Sequence, residues 1–183
     1  MLDQNEPRHV MMAITFGVFL LSPLFLIAAP MFIAISMHEV PDSWVVLAPG
    51  KAYLFYGIGL LFLFIACFIL FLLRLNNTSK WISAVCVLVF ILFMAEGTQH
   101  YVGVATDDVS FKRGMFASEQ RYPWSEVEVV TYREFPKEGG FPKFDFHFTD
   151  GDVMTLPETE HVRRLHNAIR EKLTNNDIEF QRK

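Results

Sequence analysis

Glu96 and His100 stand four residues apart, a spacing that places a carboxylate and an imidazole one helical turn from each other. Such a pair within a membrane is a natural proton relay. Their position argues for a plainer role, because both fall at the polar end of an apolar run, at headgroup depth, where solvated side chains are ordinary. His161 and His166 are five apart and so leave a common helix face, with no cysteine or carboxylate cluster to complete a metal set. Cys67 and Cys86 sit inside apolar runs, where a thiol behaves as a small hydrophobe, so neither a disulfide nor a zinc site is expected. No G-x-S-x-G, Walker loop or H-E-x-x-H occurs. The expectation is a protein without enzymatic activity, cofactor or metal.

What positions these residues is a chain of two regimes. Of 183 residues 52% are hydrophobic, and the charges are concentrated at the far end, with 12 basic and 15 acidic side chains after Thr98. Val10 to Met37 is 28 residues without a formal charge, which as helix reaches roughly 42 Å against a hydrocarbon core of about 30 Å. Tyr53 to Leu73 is a second uncharged run, flanked by Lys51 and Arg74 and anchored by Tyr53 and Tyr56. Trp81 to Ala95 makes a third, short for a span unless Glu96 to Gln99 continues the helix to the surface. The pattern predicts three transmembrane helices, about 10–37, 53–73 and 81–98, in a membrane domain over 1–98. In the first, Thr15, Ser22, Ala29 and Ser36 recur every seven residues beside Pro23 and Pro30. Small and hydroxyl side chains in such a row are a candidate packing face, able to cap carbonyls that proline frees; placement toward lipid is the alternative. The Trp44–Leu47 segment of the first loop is too short to span and is expected in the membrane interface.

From Tyr101 the hydrophobic period changes from helical to alternating. Strands are expected at 101–105, 109–112, 119–122 and 128–135, then at 143–149, where Phe144, Phe146 and Phe148 face one way and Lys143, Asp145, His147 and Thr149 the other. Asp150-Gly151 predicts a two-residue hairpin turn into 153–156. Val162, Leu165, Ile169 and Leu173 then predict one amphipathic helix with Glu158 and Glu160 in its first turn, followed by a frayed tail from 175 to 183. The expected fold class is membrane α-helical plus an α+β soluble domain over 99–174, a small antiparallel barrel capped by a C-terminal helix.

The run Gly103-Val104-Ala105-Thr106-Asp107-Asp108-Val109, the later Tyr122-Pro123-Trp124-Ser125-Glu126-Val127, and Thr149-Asp150-Gly151-Asp152 before Leu156-Pro157 resemble bacterial pleckstrin-homology-like domains attached to membrane helices. The resemblance covers about residues 99–174. It implies a PH-like barrel, a location in the bacterial inner membrane with the soluble part toward the cytoplasm, and a binding or assembly module rather than a catalyst.

Lys112, Arg113 and Arg121, on neighbouring strands, are candidate contacts for an anionic headgroup, weighed against a solvated face balanced by Asp107, Asp108 and Glu119. Phe141, between Gly140 and Pro142, is a candidate partner or lipid contact, or else folds back on Phe135. Expected partners are the lipid bilayer and another protein or a second copy, and no nucleic acid. Basic residues near the membrane number three on each side (Arg8, Arg74 and Lys80 against Lys51, Lys112 and Arg113), so charge leaves orientation undecided, leaning toward export because the first loop carries Glu39 and Asp42. Two rival functions accompany the protein-binding reading: an immunity or inhibitor protein against a membrane-acting toxin, and an accessory subunit of a membrane enzyme or transporter using Glu96 and His100.

Overall fold

The computed structural model describes residues 6–73, 75–134 and 141–182. The chain forms two compact units, one of residues 1–33 with 50–99 and one of residues 34–49 with 100–183. Arg74 and Phe135 lie outside the described residues.

Three helices, α1 (Glu6–His38), α2 (Gly50–Leu72) and α3 (Asn77–Thr98), are each long and apolar enough to cross a membrane; all lie in the first unit except the last turn of α1, from residue 34, which belongs to the second. In hydrocarbon every backbone N–H and C=O must be satisfied within the segment, so these runs have no stable alternative to helix. The prolines of α1 are accommodated locally. Pro23 lacks the N–H that would reach the carbonyl of Phe19, and Ser22 Oγ donates to that carbonyl at 3.0 Å. A short turn joins α2 to α3, with Leu75 at φ 58° and Asn76 Oδ1 accepting from the Ser79 N–H at 2.7 Å as an N-cap. The two helices pack through small residues: Ser83 Oγ donates to the Ala66 carbonyl at 2.8 Å, Gly59 faces Phe93 and Met94, and Gly97 faces the ring of Tyr56.

Among the described residues the second unit holds two four-stranded sheets. The first has the order β1-β2-β3-β4, formed by β1 (Ser43–Leu47), β2 (His100–Ala105), β3 (Asp108–Arg113) and β4 (Gln120–Pro123), all antiparallel. A 3₁₀ turn at Trp124–Glu126 leads to the second, in which β5 (Val127–Arg133), β6 (Lys143–Phe148), β7 (Val153–Pro157) and β8 (Glu179–Arg182) take the order β7-β6-β5-β8. β8 runs parallel to β5. Helices α4 (Glu160–Arg164) and α5 (His166–Asn175) lie between β7 and β8 in the chain. The core is aromatic. Phe148 stacks on Tyr122 at 4.0 Å and lies 5.9 Å from Phe111, Phe146 meets Trp124 at 6.2 Å, and Phe144 meets Tyr132 at 4.8 Å. Trp124 donates its indole N–H to the Ala105 carbonyl at 3.2 Å.

Five expectations are corrected. Among the described residues the sheets close no barrel; each gains a strand from outside the expected set and keeps its own edges. The Trp44–Leu47 segment is not an interfacial loop but β1, paired with β2 and burying Val45, Val46 and Leu47. The tail is not frayed: Asp177, at φ 55°, ends α5 in a Schellman motif, with the Ile178 N–H donating to the Leu173 carbonyl at 2.9 Å, and the chain turns into β8. The β6–β7 hairpin has a three-residue loop, Thr149 to Gly151, in which Gly151 alone takes positive φ (89°), so it is a type I turn with a bulge rather than a two-residue turn. The single expected helix is broken at Leu165, and Glu158 precedes the Thr159 N-cap instead of lying in the first turn.

A Cβ added at Gly59 would lie 2.6 Å from Met94 Cε, and one at Gly97 would lie 2.8 Å from two ring carbons of Tyr56. The thioether end can swing aside, whereas the Tyr56 ring is 1% exposed and has nowhere to go. Alanine also gains about 1 kcal/mol of helix propensity over glycine. Gly97→Ala is therefore expected to destabilise the α2–α3 pair, by about 1–3 kcal/mol before that gain, and Gly59→Ala to be near neutral despite its closer approach; thermal unfolding in detergent gives the order.

Candidate functional site

Strand geometry separates the three candidate cations. Lys112 pairs with Tyr101 and Arg121 with Ser110, so both project from one face of the first sheet, while Arg113, next along β3, projects from the other. Arg113 Nη1 sits 3.1 Å from Asp152 Oδ1, its Nη2 donates to the Val153 carbonyl at 2.7 Å, and its guanidinium lies 4.7 Å from the centre of the Phe111 ring. Arg121 lies between Asp108 at 3.6 Å and Glu119 at 3.3 Å. The cations thus form no single pocket. Exposed pairs of this kind contribute about 0–1 kcal/mol each and mainly set geometry.

Two tyrosine–carboxylate links tie the second unit together. Tyr122 donates to Asp150 Oδ2 at 2.5 Å, and the Asp152 N–H donates to Asp150 Oδ1 at 2.9 Å. The hydrogen bond from Tyr122, followed by that backbone N–H, holds the Asp150 carboxyl below its ordinary value; the same bond, helped by desolvation, pushes the Tyr122 phenol up to about 12. Tyr132 donates to Glu158 Oε2 at 2.8 Å, and the Glu158 N–H donates to the Pro142 carbonyl at 2.8 Å. That carboxylate is 6% exposed and faces Arg163 at 3.6 Å. Burial, then Glu158, raises the Tyr132 phenol. On the face of β6 expected to be wet, Asp145 is buried: Thr155 donates to it at 2.7 Å, and Arg133 Nε lies 2.7 Å away, an ion pair off the hydrogen-bond line. Tyr101 is buried under the stacked ring of His38 at 3.9 Å, and burial raises its phenol.

The remaining candidates fall in separate places. Phe141 is 81% exposed beside Pro142, at the base fixed by Glu158 and Tyr132; its alternative contact, Phe135, is not described. Glu96 is in α3, but the helix ends at Thr98 with Gln99 as cap and His100 opens β2, so the two do not share a helix turn. His161 Nε2 lies 3.3 Å from the Trp44 carbonyl, and His166 packs between Tyr132 and Phe144. Among the described residues no group of three or more metal-ligating side chains converges. Along α1, Thr15 is buried and donates to the Met11 carbonyl at 2.8 Å, Ser22 and Ala29 are half-buried, and Ser36 is exposed. Thr15 borders an apolar crevice of about 250 Å³ between α1 and Phe64 and Phe68 of α2. Sequence reasoning missed Phe116, which is 98% exposed at the β3–β4 turn next to half-exposed Met115. Its signal was there: two large apolar residues directly after Gly114, where a strand had stopped.

These features define a multi-pass membrane protein that carries a mixed-sheet α+β soluble unit assembled from two stretches of chain. No protein-family model matches the chain, and comparison with curated proteins finds no match.

Because the folded Tyr122 pKa exceeds its ordinary value of 10.0, its contribution to stability is complete below pH 10.0 and is lost as pH rises through about 12. Asp150 has the opposite sign: its contribution is present above 3.8 and disappears as acid protonates it below that value. Tyr122→Phe is expected to remove a late tyrosinate absorbance step near pH 12 and, at neutral pH, about 1 kcal/mol of stability; alkaline titration and denaturant unfolding read the two effects.

Proposed function

We propose that this protein is a non-enzymatic component of the bacterial inner membrane whose PH-like soluble unit binds another protein and serves as an assembly module. The exposure of Phe141 carries this reading. It stands next to Pro142, whose carbonyl accepts from the Glu158 N–H, and Glu158 in turn accepts from Tyr132, so the apolar ring adjoins a backbone position tied to the sheet. Within the same unit Phe111, Phe144, Phe146 and Phe148 are 0–2% exposed. Covering one phenylalanine contributes about 1.5–3 kcal/mol, and aromatic anchors at the centre of an interface dominate binding energy. Two packed sheets with a helical segment after β7 support the PH-like assignment, as do the turn motifs around Trp124 and Gly151; β8, which follows that segment and joins the second sheet, is an addition to the expected layout. Arg113, Arg121 and Arg133 are engaged in ion pairs, and Tyr122 and Tyr132 in tyrosine–carboxylate bonds, which is the use a structural or binding module makes of such side chains.

A photoreactive benzoylphenylalanine at position 141, irradiated in native membranes, is expected to form a discrete protein adduct. Phe141→Asp should reduce co-purification of that protein at least ~10-fold, a loss of about 1.4 kcal/mol, with thermal stability unchanged. Absence of any protein adduct, together with unaltered co-purification, overturns the proposal.

A further inference from the structure

We propose that the β3–β4 turn is a membrane-surface anchor, with Met115 and Phe116 inserted into the headgroup layer of the bilayer that the protein's own helices cross. The topology of the first sheet supports this. β2 begins at His100, immediately after the cap of α3, and β1 ends at Leu47, three residues before α2 begins at Gly50. The pairings Leu47↔Val102 and His100↔Arg113 place both of these chain exits, and the end of β3, at one end of the sheet. β2 leads away from that end and β3 returns to it, so the turn following Arg113 emerges where the chain continues into two membrane helices.

The lengths are compatible. α3 has 22 residues, about 33 Å of helix against a hydrocarbon core of about 30 Å, so its last residue, Thr98, falls near the edge of the hydrocarbon. The headgroup layer beyond is about 5–8 Å thick. A turn of six residues, Gly114 to Glu119, extends up to about 10 Å past the strand end, a length comparable to the thickness of that layer.

The composition of the turn fits a lipid surface. Phe116 is 98% exposed and Met115 40%, and Gly114, at φ 131°, ends the strand in a conformation other residues rarely adopt. Residues 112–121 carry a net charge of +2, with Lys112, Arg113 and Arg121 against Glu119. An apolar tip with a basic surround is the pattern that binds anionic interfaces. Phe141 is a different surface: it precedes β6, whereas the turn gripped by Arg113 follows it. The anchor therefore stands or falls independently of the protein-binding reading.

The full chain with benzoylphenylalanine replacing Phe116, reconstituted in phosphatidylcholine–phosphatidylglycerol vesicles and irradiated, is expected to gain the mass of one phospholipid at that position. The same probe replacing Val85, an exposed residue within α3, shows that lipid capture works in the preparation. Unchanged thermal unfolding shows that the label leaves the fold intact, as a residue this exposed allows. Lipid capture at 85 without capture at 116, or capture of a second protein copy at 116 in place of lipid, overturns the proposal.

Discussion

The row of phenylalanines on β6 is the contact on which the soluble unit depends. Phe144, Phe146 and Phe148 occupy alternate positions of one strand and so present three rings to the same side. Each meets a different part of the fold: Phe148 the first sheet through Tyr122 and Phe111, Phe146 the 3₁₀ turn through Trp124, and Phe144 both β5 and α5 through Tyr132 and His166. Sheet, connector and helix are thereby referred to one strand. The polar links around the core act on its margins. Arg113 and Tyr122 hold the β6–β7 turn, Glu158 and Tyr132 hold the opposite end, and Asp145 closes the outer face with Arg133 and Thr155.

The membrane unit is held by other means. Lipid tails are as apolar as leucine, so helices gain little from hiding oily side chains and adhere through close approach and shared hydrogen bonds. α2 and α3 follow that rule at Gly59, Gly97 and the Ser83–Ala66 bond. α1 meets α2 through long side chains, including the Phe19–Phe64 contact at 5.8 Å, and an apolar crevice remains between them.

Legibility in the sequence followed the range of the interactions. The three helices were readable because hydrocarbon imposes its demand residue by residue, and β6 was readable because its alternation is complete within seven positions. β1 and β8 were not, since a strand is completed by a partner, and the partner of Val46 is Gly103 while that of Phe180 is Val130. The end of α5 was hidden for a local reason: the left-handed position that glycine usually marks is filled by Asp177. Among the site candidates, the exposure of Phe141 could be read from its flanking glycine and proline. The division of Lys112 and Arg121 from Arg113 needed the register.

The strand supplied by the loop between α1 and α2 sets an order on biosynthesis. β1 leaves the ribosome more than fifty residues before β2, its neighbour in the sheet, and must wait for that partner until the intervening two helices have been made. Completion of the aqueous fold is thus coupled to membrane insertion. A fragment beginning at Gln99 would expose the backbone of β2 as a raw margin, open to adventitious strand pairing with other chains.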